Sequence, residues 1–137
     1  MNHKIIKPDY NHSILNMITS VLKNYNVTSS HSSLPELDNI LSKKYKNVVV
    51  VLLDGMGENV LKKASPNGLF SKHEIDVITS VYPCTTTAAL TTYYTGKAPI
   101  ETGWLAWTQY FKELRKINLY VSIYRFSYRR SCSKRKL

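Results

Sequence analysis

Six consecutive aliphatic residues, Val48-Val49-Val50-Val51-Leu52-Leu53, end abruptly at Asp54-Gly55-Met56-Gly57. A run without polar alternation suits a strand covered on both faces, the usual state of a strand in a parallel sheet packed between helices. It is far shorter than the roughly 20 apolar residues that cross a bilayer, so no membrane partner is expected. The flanking pattern supports a helix-covered sheet. Ile14, Leu15, Ile18, Val21 and Leu22 recur at helical spacing and predict a helix over 13–25. Ser33 followed by Glu36 resembles a capping box that opens a second helix, with Leu37, Ile40 and Leu41 on one face.

Beyond the aliphatic run, Glu58 to Ala64 predicts a short helix with Val60, Leu61 and Ala64 inward, and Pro66-Asn67-Gly68 a turn. Ile75 to Val81 predicts a second strand, and 86–94 a further helix stopped by Gly96 and Pro99. Strand, helix, strand, helix in this order implies an α/β sandwich with a mainly parallel sheet.

Composition bounds the rest. At 137 residues, with 43% hydrophobic and 20% charged residues, the chain can bury a core. The net charge of +10 suggests nucleic acid until it is located. Residues 1–112 hold 11 Lys, no Arg and 8 acids, a net charge of +3, whereas 113–137 hold 8 basic residues and only Glu113. Arg115, Arg125, Arg129, Arg130 and Arg135 all fall in that last stretch, so nucleic acid is not an expected partner of the domain. Leu119 to Phe126 alternates weakly as a strand would. For the tail itself three readings stay open: a disordered basic tail, a frameshifted or misassembled terminus, and a segment binding nucleic acid or an anionic surface. The organisation is thus a helical lead-in over 1–44, a domain over 45–112 and a basic tail over 113–137. The first ten residues have no apolar core, so no secretory signal is expected. Cys84 and Cys132 lack metal-type spacing and read as free thiols of a reducing cytoplasm.

Two segments carry chemistry. Asp54 closes the predicted first strand, and in open α/β sheets ligands bind outside the carboxyl ends of the strands. Its carboxylate suits Zn²⁺, Mn²⁺ or Mg²⁺, and Gly55 and Gly57 keep the approach clear. A helix cap is an equal alternative for Asp54. A dinucleotide fingerprint fails because Val60 stands where its third glycine belongs. The second segment, Tyr82-Pro83-Cys84-Thr85-Thr86-Thr87, clusters hydroxyls where a strand ends and a helix begins. Free N–H groups and the helix dipole there favour a phosphoryl group and an alkoxide. The alternative is one N-capping threonine among structural neighbours.

Taken together, the aliphatic strand, Asp54-Gly-x-Gly57, Tyr82-Pro-x-x-Thr86 and Thr95-Gly96 resemble the type I phosphodiesterase/nucleotide pyrophosphatase family of the alkaline phosphatase superfamily. The likeness spans about residues 45–112 and is nearest to bacterial members with Pro-x-Thr-Thr-x-Ala-Ala-Leu-Thr. It implies a partial alkaline-phosphatase-like sandwich, incomplete at the C-terminus, and metal-dependent hydrolysis of phosphodiester or nucleotide pyrophosphate bonds. It implies Thr86 as nucleophile and metal contact, with Thr85 as the alternative register, and Asp54 as a ligand of one of two divalent ions, usually zinc. The backbone N–H of Thr86 or Thr87 would hold phosphoryl oxygens, so Thr85 and Thr87 complete the expected phosphate site. A phospho-threonine intermediate would form and be hydrolysed.

Departures from the family are as informative. Trp107 replaces an Asn that contacts phosphate, and Thr102 replaces a frequent His before Gly103. The family's downstream ligands (an Asp and a His, an Asp-His pair and a further His) have no counterpart, because no Asp or His follows Thr86. His3, His12, His31 and His73 all lie upstream in polar segments. Negligible turnover by this polypeptide alone is therefore expected, and a small basic binding protein using 113–137 is the alternative function. The sulfatase pattern Cys-x-Pro-x-Arg is absent around Cys84.

Overall fold

The computed structural model describes residues 6–113 and 115–119. Six helices run in order: α1 (Ile14–Asn24), α2 (Pro35–Leu41), α3 (Glu58–Ala64), α4 (Leu69–Lys72), α5 (Thr86–Thr95) and α6 (Pro99–Thr102). An antiparallel hairpin follows, β1 (Thr108–Phe111) with β2 (Lys116–Leu119), in register Thr108↔Leu119 to Phe111↔Lys116.

α1 begins at Ser13, whose hydroxyl accepts from the Leu15 N–H at 3.3 Å, while Asn16 Oδ1 accepts from the Ser13 N–H at 2.9 Å. This reciprocal cap satisfies donors that a helix start leaves open. The Asn16 amide then donates to Ser32 O and Oγ at 2.9 and 3.0 Å, fastening the loop after α1 to its first turn. Ser20 Oγ lies 2.9 Å from the Leu34 N–H and positions the start of α2. α2 is capped by Leu34, with Pro35 in its first turn, and not by Ser33. The Ser33 hydroxyl instead donates to Asp38 Oδ2 at 2.6 Å, five residues on, because Pro35 already supplies the helical φ and needs no N–H partner.

The core lies where α1 meets α5. Leu15, Val81 and Ala88 are wholly buried, with Ile14 and Ala98 beside them and Ile18, Ile78, Ala89 and Tyr93 packed around. Small residues let the two helices approach. Gly96, the left-handed C-cap of α5 at φ 64°, faces Leu22, and a Cβ there would sit 2.5 Å from Leu22 Cδ1.

The structure is mixed helix and strand, but the parallel sandwich expected from the sequence is not formed among the described residues. The only sheet there is the two-stranded hairpin, which the sequence patterning did not suggest. Val48 to Leu53 joins no ladder, and Val49 and Val51 are 79% and 72% exposed. Of the predicted strand at 75–81, one bridge remains: Ile14 N–H donates to Thr79 O at 3.0 Å and Thr79 N–H to His12 O at 3.1 Å, in parallel sense. The physical reason is pairing. A strand buried on both faces needs a neighbour at hydrogen-bonding distance, and none reaches 48–53. Both segments nevertheless border one apolar cleft of about 390 Å³, where Met17, Val21 and Leu37 face Val48, Val50 and Ile78. α3 forms where expected but buries nothing: Val60 is 51% exposed. The weak strand at 119–126 and most of the basic tail lie outside the described residues.

Two carboxylates tie the helices together. Burial alone would raise the Asp38 pKa, but hydrogen bonds from Lys23, Ser33 and Ser20 outweigh it and hold the carboxyl below its usual value. Glu101 is lowered chiefly by the Ala98 N–H, which donates to its Oε2 at 2.6 Å, and also by His31 at 2.7 Å. Depressed folded-state values stabilise the fold above the ordinary carboxylate pKa and lose that contribution as pH falls through them. Melting temperature should therefore fall as pH drops below about 4.3, and Asp38→Asn with Glu101→Gln should flatten the dependence. Gly96→Ala should cost about 1–3 kcal/mol in urea denaturation, combining left-handed strain with the Leu22 clash.

Candidate functional site

Asp54 and Thr86 are 32 residues apart in sequence, yet Thr86 Oγ1 lies 3.4 Å from Asp54 Oδ2. Three local features produce the meeting. Gly55, at φ 72°, turns the chain directly after Asp54. α3 then starts at Glu58 with Gly57 as its N-cap and no side-chain cap, so Asp54 is not spent as a helix cap. On the other side, Val81 anchors the chain in the core just before Tyr82-Pro83 delivers it to α5.

The threonines divide their work by position. Thr85 is the N-cap of α5, its hydroxyl accepting from the Ala88 N–H at 3.4 Å and lying 3.1 Å from Thr87 Oγ1. Thr87 is fully buried, and its carbonyl accepts from the Thr91 hydroxyl at 2.8 Å. Thr86, first residue of the helix and partly exposed, carries the hydroxyl that faces Asp54. The N–H groups of Thr86 and Thr87 have no acceptor among the described residues, the normal state of a helix's first turn. They and the helix dipole present a positive end beside the two oxygens. The sequence leaves Thr85 and Thr86 as alternative registers; in the fold Thr85 is the cap and Thr86 lies beside Asp54.

The 3.4 Å separation is informative. It is longer than the O–H···O range of about 2.5–3.0 Å, so the pair is a poor hydrogen bond. It does match the edge of a tetrahedral shell, about 3.4 Å when each oxygen is about 2.1 Å from zinc. Among the described residues, however, no group of three His, Cys, Asp or Glu side chains converges to hold a metal. The second ion of a two-metal centre has no donors there.

Other titratable groups pair away from this place: His12 with Asp76 at 2.8 Å and His31 with Glu101 at 2.7 Å. These two histidines thus pair with carboxylates, pairings with no signature in sequence spacing. Cys84 is a free, exposed thiol in the loop before Thr85. Among the described residues no helix is long and apolar enough to cross a membrane. No family model, curated protein or solved structure matches the chain.

Thr85→Val removes the cap acceptor while keeping the shape. It should destabilise α5 by about 1 kcal/mol, read as lower thermal stability, whereas Thr86→Val should leave stability nearly unchanged.

Proposed function

We propose that Asp54 and Thr86 are the acid and the nucleophile of a phosphoryl-transfer site of the type I phosphodiesterase/nucleotide pyrophosphatase kind, belonging to a partial alkaline-phosphatase-like domain over 45–112. The observation that supports this most is the convergence of the two motif residues across 32 positions, with a helix N-terminus beside them. The substrate class is a phosphate diester or a nucleotide, whose phosphorus would sit between Thr86 Oγ1 and the free N–H groups.

In that arrangement Thr86 Oγ1 attacks phosphorus in line. The new bond joins threonine oxygen to phosphorus, and the bond to the leaving alkoxide breaks with the alcohol departing protonated. The N–H groups of Thr86 and Thr87 hold equatorial oxygens as their charge grows, and Asp54 orients the hydroxyl. Water then cleaves the threonine–phosphorus bond and regenerates the hydroxyl. A divalent ion, zinc by family resemblance, supplies a lowered hydroxyl pKa when bound by both oxygens. The family's second ion needs donors from outside the described residues, and no Asp or His follows Thr86 in the sequence. The polypeptide alone is accordingly a weak metal binder and a negligible hydrolase. Cytoplasmic residence belongs to the same proposal.

Manganese titration followed by amide NMR tests the site without needing turnover. Paramagnetic broadening should centre on Asp54 and Thr86 and disappear in Asp54→Asn; broadening centred on His12–Asp76 would overturn the assignment. With zinc added, the purified chain should not hydrolyse bis(4-nitrophenyl) phosphate. Turnover abolished by Thr86→Ala would contradict the expected inactivity while upholding the nucleophile.

A further inference from the structure

The aliphatic run that failed to enter a sheet remains available for pairing. Exposure along it alternates, 79% at Val49, 41% at Val50, 72% at Val51 and 40% at Leu52, the two-residue period of an extended chain. Its main chain makes one hydrogen bond, Leu53 O accepting from Met56 N–H at 3.3 Å. The remaining groups of Val48 to Leu52 have no backbone partner among the described residues. An exposed, uncharged, proline-free β-branched run with open backbone groups is a template for another strand.

The charges at its ends say which strand. Lys46 and Asp54 stand equally far on either side of Val50, and among the described residues neither joins an ion pair. We infer that a second copy of this chain pairs with the first through Val48–Leu53, antiparallel and centred on Val50, with Lys46 of each copy opposite Asp54 of the other. In this register Val50 faces its own mate, Val48 faces Leu52, and Val49 faces Val51. Directly opposed side chains lie about 4.5–5.5 Å apart, within reach of an ion pair. A parallel register would set Lys46 against Lys46 and Asp54 against Asp54, which repel. Self-pairing also brings a lysine ammonium to the carboxylate that faces Thr86. The inference shares Asp54 with the phosphoryl-transfer reading, and Lys46→Asp separates the two because it leaves Asp54 and Thr86 in place.

Sedimentation velocity over a concentration series tests it on the full chain. Wild type should move reversibly toward twice its 15.7 kDa mass. Lys46→Asp or Asp54→Lys, each acting twice at a symmetric interface, should weaken association roughly tenfold or more. The double reversal should restore it, since the opposed charges are merely exchanged. In a Cys84→Ser, Cys132→Ser background, Val50→Cys should form a disulfide-linked dimer on mild oxidation, and Val49→Cys much less. A chain that stays monomeric throughout would overturn the inference. So would association indifferent to all the charge reversals, which would place the interface elsewhere.

Discussion

The packing of Leu15 against Val81 and Ala88 is the contact on which the rest of this structure depends. It joins the first helix, the segment before Tyr82 and the hydroxyl-bearing helix into one unit. Truncating a side chain as buried as Leu15 removes about 2–5 kcal/mol in comparable cores, a large share of the total for a chain of this size. The two-way backbone bridge between 12–14 and Thr79 fixes the same junction by hydrogen bonds. Thr86 inherits its placement from that unit. Asp54 does not: it arrives on a segment whose neighbours are exposed. The candidate site is therefore built from one well-anchored wall and one weakly anchored wall.

That asymmetry has a chemical counterpart. The α5 side offers open N–H groups and a hydroxyl, which in the proposed site would hold and attack a phosphoryl group. The Asp54 side offers one carboxylate, where a two-metal centre requires several donors for each ion. A nucleophile with its anion-binding helix end can form from a single strand-to-helix turn. A metal centre cannot, because its ligands converge from many elements. In the proposed reading, the described residues supply only the locally specified half of such a site.

Legibility in the sequence follows the same division. α1, α3 and α5 were readable because periodicity and turn residues act within a few positions; Gly96 ends α5 where expected. The start of α2 was misplaced because Ser33 has a competing partner in Asp38 that spacing does not reveal. The aliphatic run reads as a strand, but pairing is non-local, and 48–53 meets no partner among the described residues and forms no strand. Val60 and Ala64 stay unburied for the same reason: the parallel sheet that α3 would cover is not formed among the described residues. The hairpin of β1 and β2 escaped notice because Thr108–Phe111 and Lys116–Leu119 mix polar and apolar residues without strong alternation. The motifs single out Asp54 and Thr86, which the fold brings within 3.4 Å of each other, whereas the choice of Thr85 as cap and the pairing of His31 with Glu101 emerge only from the fold.

In the proposed site, two oxygens distant in sequence would form one edge of a cation shell. Crystals of the chain grown with zinc, measured on both sides of the zinc absorption edge, test it most directly. An anomalous peak bonded to both Asp54 Oδ2 and Thr86 Oγ1 is expected. A peak on His12–Asp76 or His31–Glu101, with Asp54 and Thr86 left bare, would contradict it.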